Sequence, residues 1–340
     1  MTTETISLAP DLKICRIING MWQVAGGHGY ITPQNVIPAM MQYHAAGLTS
    51  WDMADIYGPA EAFFGKFRHA LEKSEHALEK SEHALDTLVG LTKFVPNPGP
   101  MSKNLVQRAI KNSTLQMNVS KLDLVQFHWW DYDDPGYLDA LRHLTTLRDE
   151  GKIRHIGLTN FDTVRMQTML DEGFEIISNQ VQYSVIDQRP QVEMESLCKK
   201  NNIKLLTYGT LGGGLISERF LGASEPTRAD LNTYSLQKYK NMVDAWGGWV
   251  LFQELLSALD KIAKRHQTKI ANVATRLVLD KPQVAGVIIG ARLGITQHIE
   301  QNKETFSLRL DSDDHNLIKE ITNQANDLYG VIGDCGSEYR

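Results

Sequence analysis

The stretch GLTSWDMADIYGPAEAFFG, residues 47–65, decides how the whole chain is read. An apolar strand, LTSW, ends on a carboxylate at Asp52, a phenol follows five residues later at Tyr57, and Gly58 and Pro59 lead into a helix. Proline in a first helical turn sacrifices no hydrogen bond, so these residues favour a strand–turn–helix junction. Acid and phenol are therefore expected together at the C-terminal end of one strand.

The same alternation runs outward in both directions. Upstream, residues 6–18 (ISLAPDLKICRII) alternate around Pro10 and Asp11 as a hairpin, and RIINGM reads as a short buried strand. Thr32 and Pro33 then open a helix that Gly47 closes. Downstream come a helix near 60–85, strand DTLVGLTK, helix 102–119, strand LDLVQFH, helix 135–150, strand IRHIGLTN and helix 162–173. EIISNQ, a helix over 190–201, IKLLTY, a long segment, helices near 249–266 and 270–280, and VAGVIIG follow. Counted from RIINGM there are eight strands, at a length that one α/β domain often reaches. Closing them into a (β/α)8 TIM barrel puts every crossover outside and leaves no sheet edge, with the N-terminal hairpin as a floor plug and extra C-terminal helices. An open doubly wound sheet is the competing arrangement, but its GxGxxG fingerprint does not follow the first strand. Residues 1–340 are read as a single domain.

The 340 residues are 42% hydrophobic and carry 35 basic against 40 acidic side chains, a net charge of -5 with neither sign in a long block. This balance predicts a small-molecule partner and no nucleic acid. Cys15, Cys198 and Cys335 lie far apart without a CxxC pair, which argues against a disulfide framework and a structural zinc site. No His/Asp/Glu set has ligand spacing, so no metal is expected. MTTETISLAP lacks the basic head and apolar core of a signal peptide, and no run of about 18 apolar residues occurs, so a cytoplasmic protein without a membrane span is expected. Composition leaves a homo-oligomer open.

HALEKSEHALEKSEHALD, residues 69–86, repeats a heptad twice and begins a third. Its Ala-Leu pairs at 70/71, 77/78 and 84/85 make one helical stripe, read as a lengthened helix; a docking helix for another subunit is the sharper alternative, but needs three or four heptads. His69, His76 and His83 fall about 10.5 Å apart at 1.5 Å per residue, too far to share a metal ion. Segment 215–250 is long enough to fold over a ligand as a lid, with Arg219 or Arg228 meeting phosphate, or to lie as a surface loop. The polar terminus GDCGSEYR either orders against the barrel mouth or frays.

Four polar residues end or follow the second, third and fourth strands: Asp52, Tyr57, Lys93 in GLTKF, and His128 in LDLVQFHWWD. Alone, a histidine or lysine at a strand end is ordinarily structural or solvated. Barrel strand ends converge, so the four form one cluster. A phenol with a pKa near 10 is a sluggish proton donor; Lys93 is expected to favour its phenolate, Asp52 to keep Lys93 charged, and His128 to orient or polarise a carbonyl oxygen.

WDMADIYG resembles the Asp-x-Ala-x-x-Tyr-Gly signature of the aldo-keto reductases, with Met53 where threonine is usual, and the four residues look like that family's catalytic tetrad. GKIRHIGLTNF (151–161) is similar to its GKIRxIGxSNF segment, with Thr159 for serine. LLTYGTLGGGL (205–215) resembles AYSPLGGGLL, with Gly209 and Thr210 replacing Ser-Pro, and VIIGARLGITQHIEQN (287–302) is similar to the IPGAR segment and the helix after it. The resemblance covers roughly residues 14–305. It implies that Thr159, Asn160 and Gln180 hydrogen-bond a nicotinamide carboxamide, that Tyr208 stacks on the ring, and that Gly209, Thr210, Leu211, Gly212 and Gly214 lie near the pyrophosphate. Arg292 is the implied grip on a 2′-phosphate, favouring NADPH over NADH, beside Gly290, Ala291, Gln301 and Asn302. Met21 and Trp22 complete the implied cofactor contacts.

Trp22, Trp129, Trp130 and Tyr30 are candidate walls of an apolar substrate cleft. Adjacent tryptophans cannot both point inward from an extended strand end, so one of Trp129 and Trp130 is expected to meet substrate or solvent. The expected activity is NADPH-dependent reduction of an aldehyde or ketone to an alcohol, with hydride from nicotinamide and a proton from Tyr57. The alternative is a cofactor-binding regulatory subunit of the same fold with little or no catalysis.

Overall fold

The computed structural model describes residues 2–28, 31–78 and 84–339, with backbone alone for 75–78. Antiparallel β1 (Thr5–Ala9) and β2 (Leu12–Cys15) turn at Pro10 and Asp11, and β3 (Ile17–Gly20) follows. Helix α1 (Pro33–Ala45) carries its proline in the first turn and stops before Gly47, whose φ of 86° is left-handed backbone that glycine adopts without steric cost. The stretch GLTSWDMADIYGPAEAFFG folds into β4 (Ser50–Asp52) and the start of α2 (Ala60–Leu78), with a short α3 (Ala84–Thr87) after it. Next come β5 (Val89–Phe94), α4 (Lys103–Gln116), β6 (Leu122–His128), α5 (Gly136–Asp149) and β7 (Ile153–Thr159). Then follow α6 (Thr163–Asp171), β8 (Ser178–Gln182), α7 (Met194–Lys200) and β9 (Lys204–Tyr208). The remainder is α8 (Tyr234–Trp246), α9 (Gly248–Arg265), α10 (Ile270–Leu279), β10 (Val284–Gly290), α11 (Ile299–Ser307), α12 (Ser312–Thr322) and α13 (Leu328–Ile332).

Strands β3 through β10 close into one parallel barrel in the order β10-β3-β4-β5-β6-β7-β8-β9. These are the eight strands read from the sequence. Side chains alternate with period two. Leu91 and Leu124 therefore face the barrel interior, where they pack with Ile18, Leu206 and Ala285 over Leu8, Leu12 and Ile14 of the hairpin, which plugs the floor. Trp51, Phe94 and Phe127 face the opposite way and pack in the main core under the helices. The same alternation carries Asp52, Lys93, Gln126 and His128 inward at the C-terminal ends.

Two readings change. Segment 215–250 contains α8: the Thr233 hydroxyl accepts from the Leu236 N–H, and Leu236, Tyr239, Met242, Val243 and Trp246 bury one face. The helix expected over 190–201 begins as a separate 3-10 turn, Arg189–Gln191, because the backbone leaves helical geometry at Glu193, with φ -133° and ψ -38°, before α7 starts. Of the heptad repeat, α2 carries the start and α3 the end; its middle, including His83 and the side chain of His76, lies outside the described residues, as does Tyr30. Among the described residues no helix is long and apolar enough to cross a membrane, and no group of three His, Cys, Asp or Glu is placed to hold a metal ion.

Candidate active site

A cleft of about 820 Å³ opens at the C-terminal end of the barrel. Asp52 lies at its base. Lys93 Nζ donates to Asp52 Oδ2 at 2.6 Å and to the Met53 carbonyl at 3.1 Å. Gln126 Nε2 and Gln180 Nε2 donate to Asp52 Oδ1 at 2.9 and 2.7 Å, and Gln180 Nε2 also reaches Gln126 Oε1 at 2.6 Å. A buried ion pair is tolerable when such donors satisfy its remaining lone pairs. Burial pulls the Lys93 ammonium below its ordinary range, and Asp52 works against that fall.

Lys93 Nζ stands 4.8 Å from the centroid of the Tyr57 ring. The phenol is not acidified in this arrangement: burial, then Asp52, Tyr339 and Asp55, push it well above its ordinary value. The expected effect of Lys93 is offset because its charge is matched by Asp52 at contact distance. His128 Nδ1 lies 2.9 Å from the Thr159 carbonyl, which can only accept, so Nδ1 carries hydrogen. Trp130 meets the imidazole edge-on, with centroids 4.3 Å apart, and lines the cleft. Trp129 does not. It shares the outward face of Phe127, is fully buried, and its indole N–H donates to the Asp134 carbonyl at 3.0 Å.

The Aldo/keto reductase family profile matches residues 16–323. The chain belongs to the aldo/keto reductase family. It is 23% identical over 327 residues to the NADH-specific methylglyoxal reductase of Escherichia coli, covering 92% of this chain and 95% of that one. With flagellar radial spoke protein 5 of Chlamydomonas reinhardtii it shares 34% identity over 177 residues, 47% of this chain and 33% of that one, so it matches only a third of that protein's length. In fold it matches a thermostable aldo-keto reductase crystallised with the inhibitor epalrestat, with a TM-score of 0.71 and 20% identity over 94% of this chain and 100% of that one. An aldo/keto reductase from Klebsiella pneumoniae in complex with NADP and acetate gives a TM-score of 0.68, also at 20% identity, over 94% and 96% of the two chains.

Most of the reductase contacts expected from the sequence line the cleft: Trp22, Thr159, Asn160, Gln180, Tyr208, Gly209, Thr210, Leu211, Gly214, Gly290, Arg292, Gln301 and Asn302. Asn160 follows β7 with φ 57°, a left-handed conformation that asparagine tolerates better than most residues, and its Oδ1 accepts from the Tyr208 hydroxyl at 2.7 Å. The Thr159 hydroxyl is buried there without a hydrogen-bond partner among the described residues. Gly209 has φ 73°, and a Cβ on it would come within 2.6 Å of the Tyr239 hydroxyl, so only glycine lets the turn approach α8 this closely. Met21, Gly212 and Ala291 are buried and do not line the cleft. Met21 and Ala291 act through backbone instead, their N–H groups donating to Asp52 O and Gly20 O at 2.9 Å each.

Two groups of residues escape sequence reading. His28 Nε2 lies 2.8 Å from Ser235 Oγ, and the Tyr234 N–H donates to the Gly27 carbonyl, so the start of α8 spans to the loop after β3. The Arg292 guanidinium donates to the carbonyl of the same His28 at 2.9 Å, and Arg219 lines the cleft whereas Arg228 does not. The C-terminal tail orders against the mouth. Arg189 holds Asp187 through two bonds of 2.8 Å and pairs with Glu338 at 2.9 Å, the three side chains buried. Burial pushes the Glu338 carboxyl up, but Arg189 and Lys238 prevail and hold it below the ordinary range. Tyr339 is thereby set beside His128, Trp130 and Tyr208, and its hydroxyl accepts from Lys238.

Proposed function

We propose that this reductase uses NADPH to convert an aldehyde or ketone into an alcohol, with Tyr57 as the proton donor. The observation that carries the proposal is the convergence of Tyr57, the Lys93–Asp52 pair and His128 on one end of the cleft whose other residues suit a nicotinamide dinucleotide. The fit rests on the buried Thr159 hydroxyl, partnerless among the described residues, the glycine turn open to a phosphate, and the Arg292 guanidinium at the rim. A bound nicotinamide supplies hydride to the carbonyl carbon.

As that carbon is reduced its oxygen becomes an alkoxide, roughly as basic as hydroxide, the conjugate base of water at about 15.7. A phenol kept protonated by its buried setting is then still able to give up its proton to that oxygen, and holds it until the oxygen demands it. The Lys93 ammonium, already matched by Asp52, offers its nearest positive end to the phenolate left behind. His128, its Nδ1–H fixed on Thr159, orients the carbonyl oxygen by donating from Nε2 when its ring is doubly protonated. Trp22, Trp130, Ile56 and Val95 offer apolar walls for the substrate body, and Arg292 selects the 2′-phosphate. Asn160 and Gln180 hold the carboxamide, and Tyr208 stacks on the ring. A regulatory cofactor-binding subunit is the second reading, favoured by the partial match to a radial spoke protein; the complete tetrad favours catalysis.

The test is NADPH oxidation over a panel of aldehydes, ketones, quinones and sugars, repeated with NADH and with Tyr57→Phe. Wild type should turn over with NADPH preferred, and the variant should lose about 10²- to 10⁴-fold while binding NADPH normally. Full turnover in Tyr57→Phe, or no fluorescence change on adding NADPH, would overturn the proposal.

A further inference from the structure

One half-buried carboxylate beside the mouth has no task in that reaction. Asp55 lies between Asp52 and Tyr57, in the turn that carries the phenol out of β4. Ladder pairing between β4 and β5 stops at Asp52 opposite Leu91, yet the two segments stay joined beyond it. The Asp55 N–H donates to the Lys93 carbonyl at 3.2 Å, and the Val95 N–H donates to Asp55 Oδ2 at 3.1 Å. The Tyr57 N–H closes the turn on the Ala54 carbonyl at 3.0 Å. The phenol-bearing turn is thus riveted through one residue to the strand bearing the ammonium. Asp55 Oδ1 is buried with no hydrogen-bond partner among the described residues, so the carboxylate is only half satisfied.

Three titratable groups act on it by charge: Lys93 from β5 and Glu61 from α2 on the carboxylate, and Tyr57 of its own turn, which the carboxylate acts on in return. An ionised Asp55 therefore opposes the negative charge that the phenol takes on as it gives up its proton. We propose that Asp55 is a positioning residue for the proton donor, fixing the Tyr57 turn against the Lys93 strand through its side chain and slowing proton release from Tyr57 through its charge. The inference rests on the reductase reading above. Burial, with Glu61 adding to it and the Val95 and Ile56 N–H groups and Lys93 opposing, pushes the Asp55 carboxyl up to about 6. Reduction should accordingly be faster below that pH and decline as Asp55 ionises.

The experiment is the pH profile of kcat from 5 to 8 for NADPH-dependent reduction of 4-nitrobenzaldehyde and the other aldehydes of the screen. Asp55→Asn keeps an oxygen for the Val95 N–H and removes the charge; it should match wild type at pH 5 and lose the decline between 5 and 7. Asp55→Ala removes the rivet and should lower kcat several-fold at every pH with the KM for NADPH unchanged. Glu61→Gln removes the neighbouring carboxylate and should move the decline to lower pH. As a readout independent of turnover, wild type should lose stability relative to Asp55→Asn as pH rises from about 4 to 6 and level off above, because a carboxyl raised on folding is destabilised by ionisation. Superimposed wild-type and Asp55→Asn profiles with active enzyme would overturn this inference alone. Absence of any carbonyl reduction by wild type would sink the reductase reading, and this inference with it.

Discussion

The substitution Asp52→Asn is the sharpest single perturbation of this site, because it removes one charge of a buried pair and little else. The new carboxamide would retain an oxygen for Gln126 and Gln180 but present an amide N–H to the Lys93 ammonium, which would keep only the Met53 carbonyl. At 2.6 Å and an effective dielectric constant of about 20, the attraction lost is roughly 6 kcal/mol before desolvation is counted. Removing one partner of a buried pair costs about 3–5 kcal/mol net, since the other charge stays uncompensated. An unfolding entropy of about 2.1 cal/mol/K per residue gives about 0.7 kcal/mol/K for this chain, so Tm should fall by about 4–7 °C. The loss should also depend on pH. Burial already pulls Lys93 down, and without Asp52 it falls further. Between that lowered value and the unfolded lysine value near 10.4 the unfolded state binds more protons, so the stability of the variant rises with pH and the deficit shrinks from pH 7 to 9.5. Guanidinium denaturation at the two pH values, with calorimetry for Tm, measures both effects. A deficit below about 1 kcal/mol that is the same at both would show that water reaches the ammonium and that the pair is not buried.

Two further outcomes follow from the rim. Arg292→Ala should weaken NADPH binding about 10- to 100-fold, the worth of a charge-assisted hydrogen bond, and leave NADH nearly unaffected in a fluorescence titration. Glu338→Gln should free the tail rather than unfold the barrel, because Arg189 keeps both bonds to Asp187; amide exchange should quicken at residues 333–339 with Tm almost unchanged.

How much of this was legible in the sequence depends on the range over which each feature is specified. Strand ends are local: LTSWD, GLTKF and LDLVQFH each show where an apolar run meets a polar side chain, and barrel closure does the rest. The tryptophan pair is local too. Period two from inward His128 passes Trp129 outward with Phe127 and returns Trp130 to the cleft, so the alternation resolves a choice that the neighbouring indoles leave open. Helix α8 was written as a capping threonine followed by apolar residues at 236, 239, 243 and 246, but turn-formers before it and Gly247 and Gly248 after it masked the signal.

Charge balance is a different matter. The sequence places Asp52, Tyr57 and Lys93 at one mouth, with Asp52 on the ammonium as found; it does not show how deeply the phenol is buried, and burial, with Asp52 next, reverses the expected effect on it. The tail lies furthest from local rules. GDCGSEYR has almost no apolar surface to bury, and such a segment stays put only where its charge meets a partner already fixed in the barrel. Arg189, clamped by Asp187 in the loop after β8, is that partner, and its bond to Glu338 turns a polar terminus into a wall of the cleft. No periodicity links those three positions, because only the closure of the barrel brings them together.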